Sequence, residues 1–144
     1  MKGKPVFTYN LLDLKRTRFE GTDSLAPGKH TIEYDFKYDG LGEATLAYNV
    51  LSGVGRGGTG TLKVDGNVVS TQKLERTLPL VKPLDQFFAI GLSGPAPVDD
   101  HDYKVPFNFT GKINKVTIAL DPPKLTPADL EKLKAAQRAA QDAN

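Results

Sequence analysis

Short runs in which apolar and polar residues alternate constrain the fold of this chain more than any other feature. In HTIEYDFKY, every second residue from Ile32 to Tyr38 is apolar or aromatic, which is the period of a half-buried β-strand. Other β-prone runs are ATLAYNVL, TGTLKVD, VVSTQKLERT, QFFAIGL and KINKVTIAL. TGTLKVD and VVSTQKLERT are joined by Asp65, Gly66 and Asn67, a tight-turn sequence that predicts a β-hairpin.

Turn residues separate these runs, and several short strands with such punctuation predict an all-β fold, an antiparallel β-sandwich. We assign the sandwich to residues 5–121, and residues 122–144 to a proline-containing linker and one C-terminal α-helix. Thr126 is the expected N-cap and Pro127 the first helical residue, with fraying expected after Arg138. The expected sandwich core includes Phe36, Leu62, Val64, Val116 and Ile118. The leucines expected to dock the helix are Leu125, Leu130 and Leu133.

The overall composition is that of one globular domain. The chain has 144 residues, of which 39% are hydrophobic and 25% are charged. Its net charge of +2 comes from 19 basic and 17 acidic side chains without a basic patch, which argues against nucleic acid as a partner. No apolar run is long enough to span a membrane, so no membrane partner is expected. The absence of cysteine excludes disulfides, thiolate metal sites and cysteine nucleophiles.

A glycine-rich stretch in the middle of the chain has the spacing of a nucleotide-binding loop. Gly53, Gly55 and Gly58 match G-x-G-x-x-G. A phosphate-binding loop of this kind opens a helix, or places a lysine after the last glycine, whereas here Thr59 and a β-prone run follow. We therefore interpret the stretch as a flexible connection between two strands, with tight backbone passage.

The sequence DDHDY is the densest cluster of potential metal ligands. Its carboxylates Asp99, Asp100 and Asp102 are candidate ligands for an oxygen-binding cation such as calcium. The EF-hand spacing is absent, and a solvated acidic loop is the alternative interpretation. The two histidines, His30 and His101, are far apart in sequence, and no nucleophile motif accompanies them. No residue is assigned a catalytic or cofactor-binding role.

Three segments carry a family resemblance: PGKHTIEYDFKYDG, GVGRGGTGTLKVDGNVVSTQKLERTLPL and PVDDHDYKVPFNFTGKINKVTIAL. In this order they resemble the C-terminal region of bacterial arylsulfatases of the alkaline-phosphatase-like superfamily, from about Tyr9 to Leu120. A weaker similarity to laminin-G and concanavalin-A-like sandwiches rests on the VDG hairpin and the F-x-G-x-I pattern. The resemblance refines the expected fold to a jelly-roll or concanavalin-A-like sandwich.

The resemblance implies a non-catalytic accessory domain that packs beside a sulfatase catalytic domain. The family's formylglycine motif and the carboxylate ligands of its divalent metal, expected to be calcium, lie in that preceding domain, and no position here matches them. In SGPAP, for example, Pro97 stands where the formylglycine motif has arginine. The chain is therefore not expected to be an enzyme on its own or to hold a cofactor. Bacterial periplasm and cytoplasm both remain open as its location, since many exported proteins also lack cysteine. The first residues contain no apolar stretch long enough for a signal peptide, so we expect either a cytosolic protein or a piece of a longer one.

Two hypotheses about partners follow. The first is a docking surface for the catalytic domain, or for self-association, and its residues are Phe87, Phe88, His101 and Tyr103. The alternative is an independent carbohydrate-binding module. Its candidate sugar-stacking residues are Tyr9, Tyr48 and Tyr103, since tryptophan is absent.

Overall fold

The structure, a computed structural model, describes residues 1–39, 55–77, 88–121 and 126–142. Its strands are β1 (Val6–Leu11), β2 (Lys15–Glu20), β3 (Ile32–Tyr38), β4 (Gly55–Val64), β5 (Asn67–Thr77), β6 (Leu92–Ser93) and β7 (Phe107–Asn108), followed by helix α1 (Pro127–Asp142). They form three antiparallel sheets, in the orders β1-β2, β3-β4-β5 and β6-β7. The all-β prediction is confirmed.

The hairpin of β1 and β2 was not among the predicted strands. Phe7 pairs with Phe19, and Asn10 pairs with Arg16, so successive residues alternate between two faces of the hairpin. The aromatic side chains of Phe7 and Phe19 occupy the inner face, while Asn10, Arg16 and Arg18 occupy the outer face. The run KRTRFE escapes prediction because its outward residues are charged and only one of its inward residues is apolar.

The three-stranded sheet confirms three of the predicted strands and the predicted hairpin between the last two. β3 follows HTIEYDFKY, and β4 and β5 are joined at Asp65 and Gly66, which both have positive φ angles, 49° and 81°. This is the type I′ geometry that suits the right-handed twist of paired strands. The register shifts between Leu62 and Lys63, and Val69 next to this irregularity packs against the core.

The core lies between the inner face of the β1–β2 hairpin and one face of the three-stranded sheet. Its fully buried members are Phe19, Leu62 and Leu74, which are 0%, 1% and 3% exposed. Tyr34 lies edge-on to the Phe19 ring at a centroid distance of 5.2 Å, and it stacks on Phe7 at 3.4 Å. The predicted core position of Leu62 is therefore confirmed.

The glycine-rich stretch is not a connection between strands over its described part. From Gly55 onward it belongs to β4 itself, so that part of the prediction is wrong. Close backbone passage does explain the glycines: a Cβ atom on Gly60 would lie 2.6 Å from the Phe19 ring. Glycine at this position allows the large ring to lie against the strand. Gly53 lies in the part of the chain that the structure does not describe.

The predicted strand KINKVTIAL is wrong. Residues 112–120 form no strand, and Ile118 is 64% exposed, with Val116 also exposed. An alternating pattern predicts which residues would share a face of a strand, but it does not predict which strand would pair with it. Within the described ranges, no segment pairs with residues 112–120. Phe36, at the edge strand β3, is exposed and Val64 is half-buried, so neither is a fully buried core residue.

Two other predicted runs lie wholly or partly beyond the described residues. ATLAYNVL falls in residues 40–54, and Phe87 of QFFAIGL falls in residues 78–87. The described end of QFFAIGL contributes only Leu92 to β6, where it pairs with Asn108.

The C-terminal helix begins at Pro127, as predicted, and the Leu130 N–H donates to the Thr126 carbonyl at 3.1 Å. It continues to Asp142, past the expected fraying point at Arg138. The expected inward packing of Leu130 is wrong, since this side chain is exposed; Leu125 and the Leu133 side chain lie outside the description. In the described part of the chain, no helix combines the length and apolar character needed to cross a membrane.

Candidate functional site

The outer face of the β1–β2 hairpin carries two arginines that hold the loop of residues 98–103. Arg16 and Arg18 are two positions apart on β2, so the alternation of a strand points both in one direction. Asn10, the cross-strand partner of Arg16, lies on the same face and donates from Nδ2 to the Val98 carbonyl at 2.9 Å. The loop is thereby fixed to the hairpin at its first residue.

Arg16 binds the next two residues of the loop. Its Nη1 lies 2.5 Å from Asp100 Oδ1 and 3.4 Å from Asp99 Oδ1. Its Nη2 pairs with Asp13, which belongs to the turn of the hairpin. The guanidinium therefore bridges three carboxylates that would otherwise repel one another.

Arg18 binds the far side of the same loop. It pairs with Asp102, its Nε donates to Glu20 at 2.8 Å, and its Nη1 lies 3.8 Å from Asp99 Oδ2. Asp99 is only 8% exposed and lies between the two arginines. A buried carboxylate needs such compensation, because an unpaired buried charge is costly.

These contacts shift the pKa values of the loop. Burial of Asp99 acts to raise the pKa of its carboxyl, but hydrogen bonds from the backbone N–H and ring of His101, with the Arg16 charge, lower it overall. The hydrogen bond from Arg16 lowers the pKa of Asp100. Asp100 raises the pKa of Arg16, and Asp102 raises that of Arg18. Asp99 and Asp100 are therefore ionised at neutral pH.

The structure brings together only two of the three predicted metal candidates, with His101 beside them in place of Asp102. Ligand atoms of Asp99, Asp100 and His101 lie within 4.8 Å of one another, whereas Asp102 pairs with Arg18. Calcium requires six to eight oxygen ligands, and here Arg16 already binds both Asp99 and Asp100. The geometry is that of an anchored acidic loop.

The predicted docking residues fall into two environments. Phe88 is 76% exposed and the His101 side chain is also exposed. Tyr103 instead lies inside the loop: its hydroxyl is 3.0 Å from Ser93 Oγ and accepts the Val98 N–H at 3.1 Å, and its ring lies 5.1 Å from that of Phe107. Tyr103 thus fastens the loop to β6 and β7 and is not a free docking side chain.

Exposed apolar side chains follow the two chain segments around β6 and β7. We call these residues the apolar strip: Phe88, Ile90, Leu92, Phe107, Phe109, Ile113, Val116, Ile118 and Leu120. The segments run side by side, because the Phe109 N–H donates to the Gly91 carbonyl at 2.8 Å. All members are solvent-exposed rather than packed in the core.

The charges along the apolar strip are positive. Lys104, Lys112 and Lys115 are exposed, and none of them forms an ion pair with a described residue. The sequence contains no acidic residue between Tyr103 and Leu120. The charged residues that neighbour the strip in the sequence between Tyr103 and Leu120 are therefore all basic.

Of the tyrosines considered for sugar binding, Tyr9 lines a small groove with Lys15, Thr17 and Glu75 among others. The groove has about 40 Å³ of space, enough for a few water molecules. Lys15 Nζ lies 2.7 Å from Glu75 Oε2 across it. Tyr48 lies among the residues that are not described.

The pairing of Arg16 and Arg18 with the loop of residues 98–103 was not predicted from the sequence. Within KRTRFE, Arg16 and Arg18 alternate onto one face of the strand, a pattern that is equally typical of a solvent-exposed strand face. Comparison of the chain with protein-family models, curated proteins and solved structures finds no match.

Proposed function

We propose that this chain is a non-catalytic accessory domain of an arylsulfatase, a jelly-roll or concanavalin-A-like sandwich that packs beside the catalytic domain. The observation that carries the proposal is the uncovered apolar strip. Large exposed apolar patches are uncommon on soluble monomers and mark interaction surfaces. The family resemblance suggests the sulfatase catalytic domain as the partner that covers this surface.

The distribution of apolar residues supports a surface that is completed by a partner. Among the described residues the buried hydrophobic core consists of Phe19, Leu62 and Leu74, whereas Ile118 is largely exposed. Burial of apolar surface stabilises by about 25 cal/mol per Å² removed from water. A partner that covers the strip would supply apolar contacts that the described core lacks.

The charges specify what the partner presents. Lys112 and Lys115 flank Ile113 and Val116, so the partner face is apolar with acidic residues at its edge. Complementary charges of this kind raise the rate of association and fix the register. Tyr103 packs against Phe107, so the loop of residues 98–103 helps to hold this member of the strip in place.

The ionisable residues of the loop support a structural role. Activation of a nucleophile requires a neighbouring base that is free to take a proton. Asp99, Asp100 and Asp102 instead compensate Arg16 and Arg18. Catalysis and the divalent metal, calcium by resemblance, belong to the parent's catalytic domain in this proposal.

The test is sedimentation of the chain with a separately produced catalytic domain of a bacterial arylsulfatase that lacks its own C-terminal region. We expect a one-to-one complex that Ile118→Ser weakens. Leu14→Ser is the matched control, because Leu14 is 83% exposed but lies in the β1–β2 turn. Absence of a complex, or equal weakening by both substitutions, would contradict the proposal.

The alternative is an independent carbohydrate-binding module. Its candidate site is the groove in which Tyr9 lies beside Lys15 and Arg76. Titration with sulfated sugars separates the two functions: saturable binding that Tyr9→Ala removes, with no effect of Ile118→Ser, would favour the module.

A further inference from the structure

We propose that His30 and Asp65 form a pH-controlled clamp that fastens the segment before β3 to the β4–β5 turn. His30 Nδ1 lies 2.7 Å from Asp65 Oδ2, and His30 Nε2 lies 2.8 Å from the Ala26 carbonyl oxygen. Both ring nitrogens thus face hydrogen-bond acceptors. One is the Ala26 carbonyl oxygen, and the other is the Asp65 carboxylate, which has no proton to donate while it is ionised. The clamp is independent of the proposed docking function.

The protonation state of the ring follows from this geometry. A neutral imidazole carries one N–H, so it would face either Asp65 or Ala26 with a lone pair. The imidazolium donates to both and also pairs with the carboxylate. The pKa values agree with this geometry. The hydrogen bond to Asp65, and after it the one to the Ala26 carbonyl, raises the pKa of His30. The hydrogen bond from His30, and after it the one from the Thr31 N–H, lowers the pKa of Asp65.

Asp65 transmits the state of the ring to the sheet. Its Oδ1 accepts the Thr31 N–H at 2.8 Å, and its own N–H donates to the Thr31 carbonyl at 2.9 Å. Thr31 immediately precedes β3, the edge strand of the three-stranded sheet. The clamp therefore holds the beginning of β3 against the β4–β5 turn.

The charged surroundings of the ring are simple. Among the described residues, Asp65 is the charged group acting on His30, and it comes from the β4–β5 turn. Lys29 precedes the ring in the sequence and is exposed to solvent. The loop before β3 contributes the uncharged Ala26 carbonyl, and β3 contributes no charged group to the ring.

The direction of the pH dependence follows from the raised pKa of His30. The contribution of the clamp is complete between the ordinary aspartate pKa of about 3.9, above which Asp65 is ionised, and the ordinary histidine pKa of about 6.5, and it is lost as the pH rises through the higher folded value of His30. Deprotonation removes one of the two hydrogen bonds of the ring and its attraction to Asp65. The ring then holds the segment from Ala26 to Thr31 less firmly, while the two hydrogen bonds between Asp65 and Thr31 remain.

The test is an NMR titration of the full chain, in which His101→Gln assigns the two imidazole signals. We expect the His30 midpoint to lie above that of free histidine, and Asp65→Asn to lower it; asparagine tolerates the positive φ of this position. Asp35→Asn is the matched control, because Asp35 pairs with Lys63 elsewhere on the sheet. A His30 midpoint at or below that of free histidine, or one unchanged by Asp65→Asn, would overturn the proposal.

Hydrogen exchange of the Thr31 amide provides the second measurement. After correction for intrinsic exchange, wild type should lose protection across the His30 titration. His30→Gln should show no such step. A step that persists in His30→Gln would also overturn the proposal.

Discussion

At the residue scale, Phe19 is the side chain on which the described core depends most. It contacts Phe7 and Tyr34 and lies against Gly60. Phe19→Ala should lower the free energy of unfolding by about 3–5 kcal/mol, because it removes a large buried ring and leaves a cavity. Urea denaturation measures the change.

Ile118→Ala is the control for this prediction. Its side chain is largely exposed, so the free energy of unfolding should change by no more than about 0.5 kcal/mol. A loss of several kcal/mol in Ile118→Ala would show that the side chain is buried in the isolated chain.

The arginine-anchored loop predicts sensitivity to acid. The pKa values of Asp99 and Asp100 are lowered in the folded state. Their contribution to stability is therefore complete above the ordinary aspartate pKa of about 3.9, and it is lost as the pH falls from there through the folded values. NMR shifts of residues 98–102 should report release of the loop in this acid range.

Arg16→Gln should release the same loop at neutral pH, because it removes the cation that bridges Asp13, Asp99 and Asp100. Lys104→Gln is the matched control, since this exposed lysine forms no ion pair with a described residue. Identical loop spectra in wild type and Arg16→Gln would refute the anchoring role.

At the scale of the element, the β4–β5 turn depends on the conformational freedom of Gly66. Its φ is 81°, and a Cβ atom there would meet nothing within 4 Å. Backbone strain alone therefore sets the cost of Gly66→Ala, about 1–2 kcal/mol. Gly66→Asn should cost less, because asparagine enters this conformation more readily; equal denaturation midpoints for wild type and Gly66→Ala would contradict the prediction.

The elements that the sequence could predict are those defined by local patterns. β3 has its own alternation, the β4–β5 hairpin has its Asp65–Gly66 turn, and α1 has its Pro127 start. KINKVTIAL has equally clear alternation but pairs with no described strand. Its sequence could not predict this, because strand pairing depends on distant residues. β2 was missed because Arg16 and Arg18 look like solvent-exposed residues until the loop that covers them is known.

The candidate site was predictable only in part for the same reason. The acidic loop was visible in the sequence as DDHDY, yet its partners on β2 are more than 80 positions away. Metal binding and arginine pairing both require clustered carboxylates, and sequence alone does not distinguish them. The position of Tyr103 inside the loop likewise depends on Ser93 and Phe107.

At the scale of the whole molecule, the β1–β2 hairpin is the central layer of the described architecture. Its inner face packs on the three-stranded sheet through Phe19, and its outer face holds the loop of residues 98–103 through Arg16 and Arg18. The loop leads to β7 and the apolar strip. The apolar side chains of the strip are exposed to solvent.

The most direct test of the docking account is hydrogen exchange of the amides of residues 112–120, with and without the arylsulfatase catalytic domain described above. These residues belong to no described strand. If the strip docks on that domain, these amides exchange rapidly in the isolated chain and are strongly protected in the complex. Strong protection already in the isolated chain would contradict it, because the chain itself would then cover the strip, as would a complex that leaves this segment unprotected.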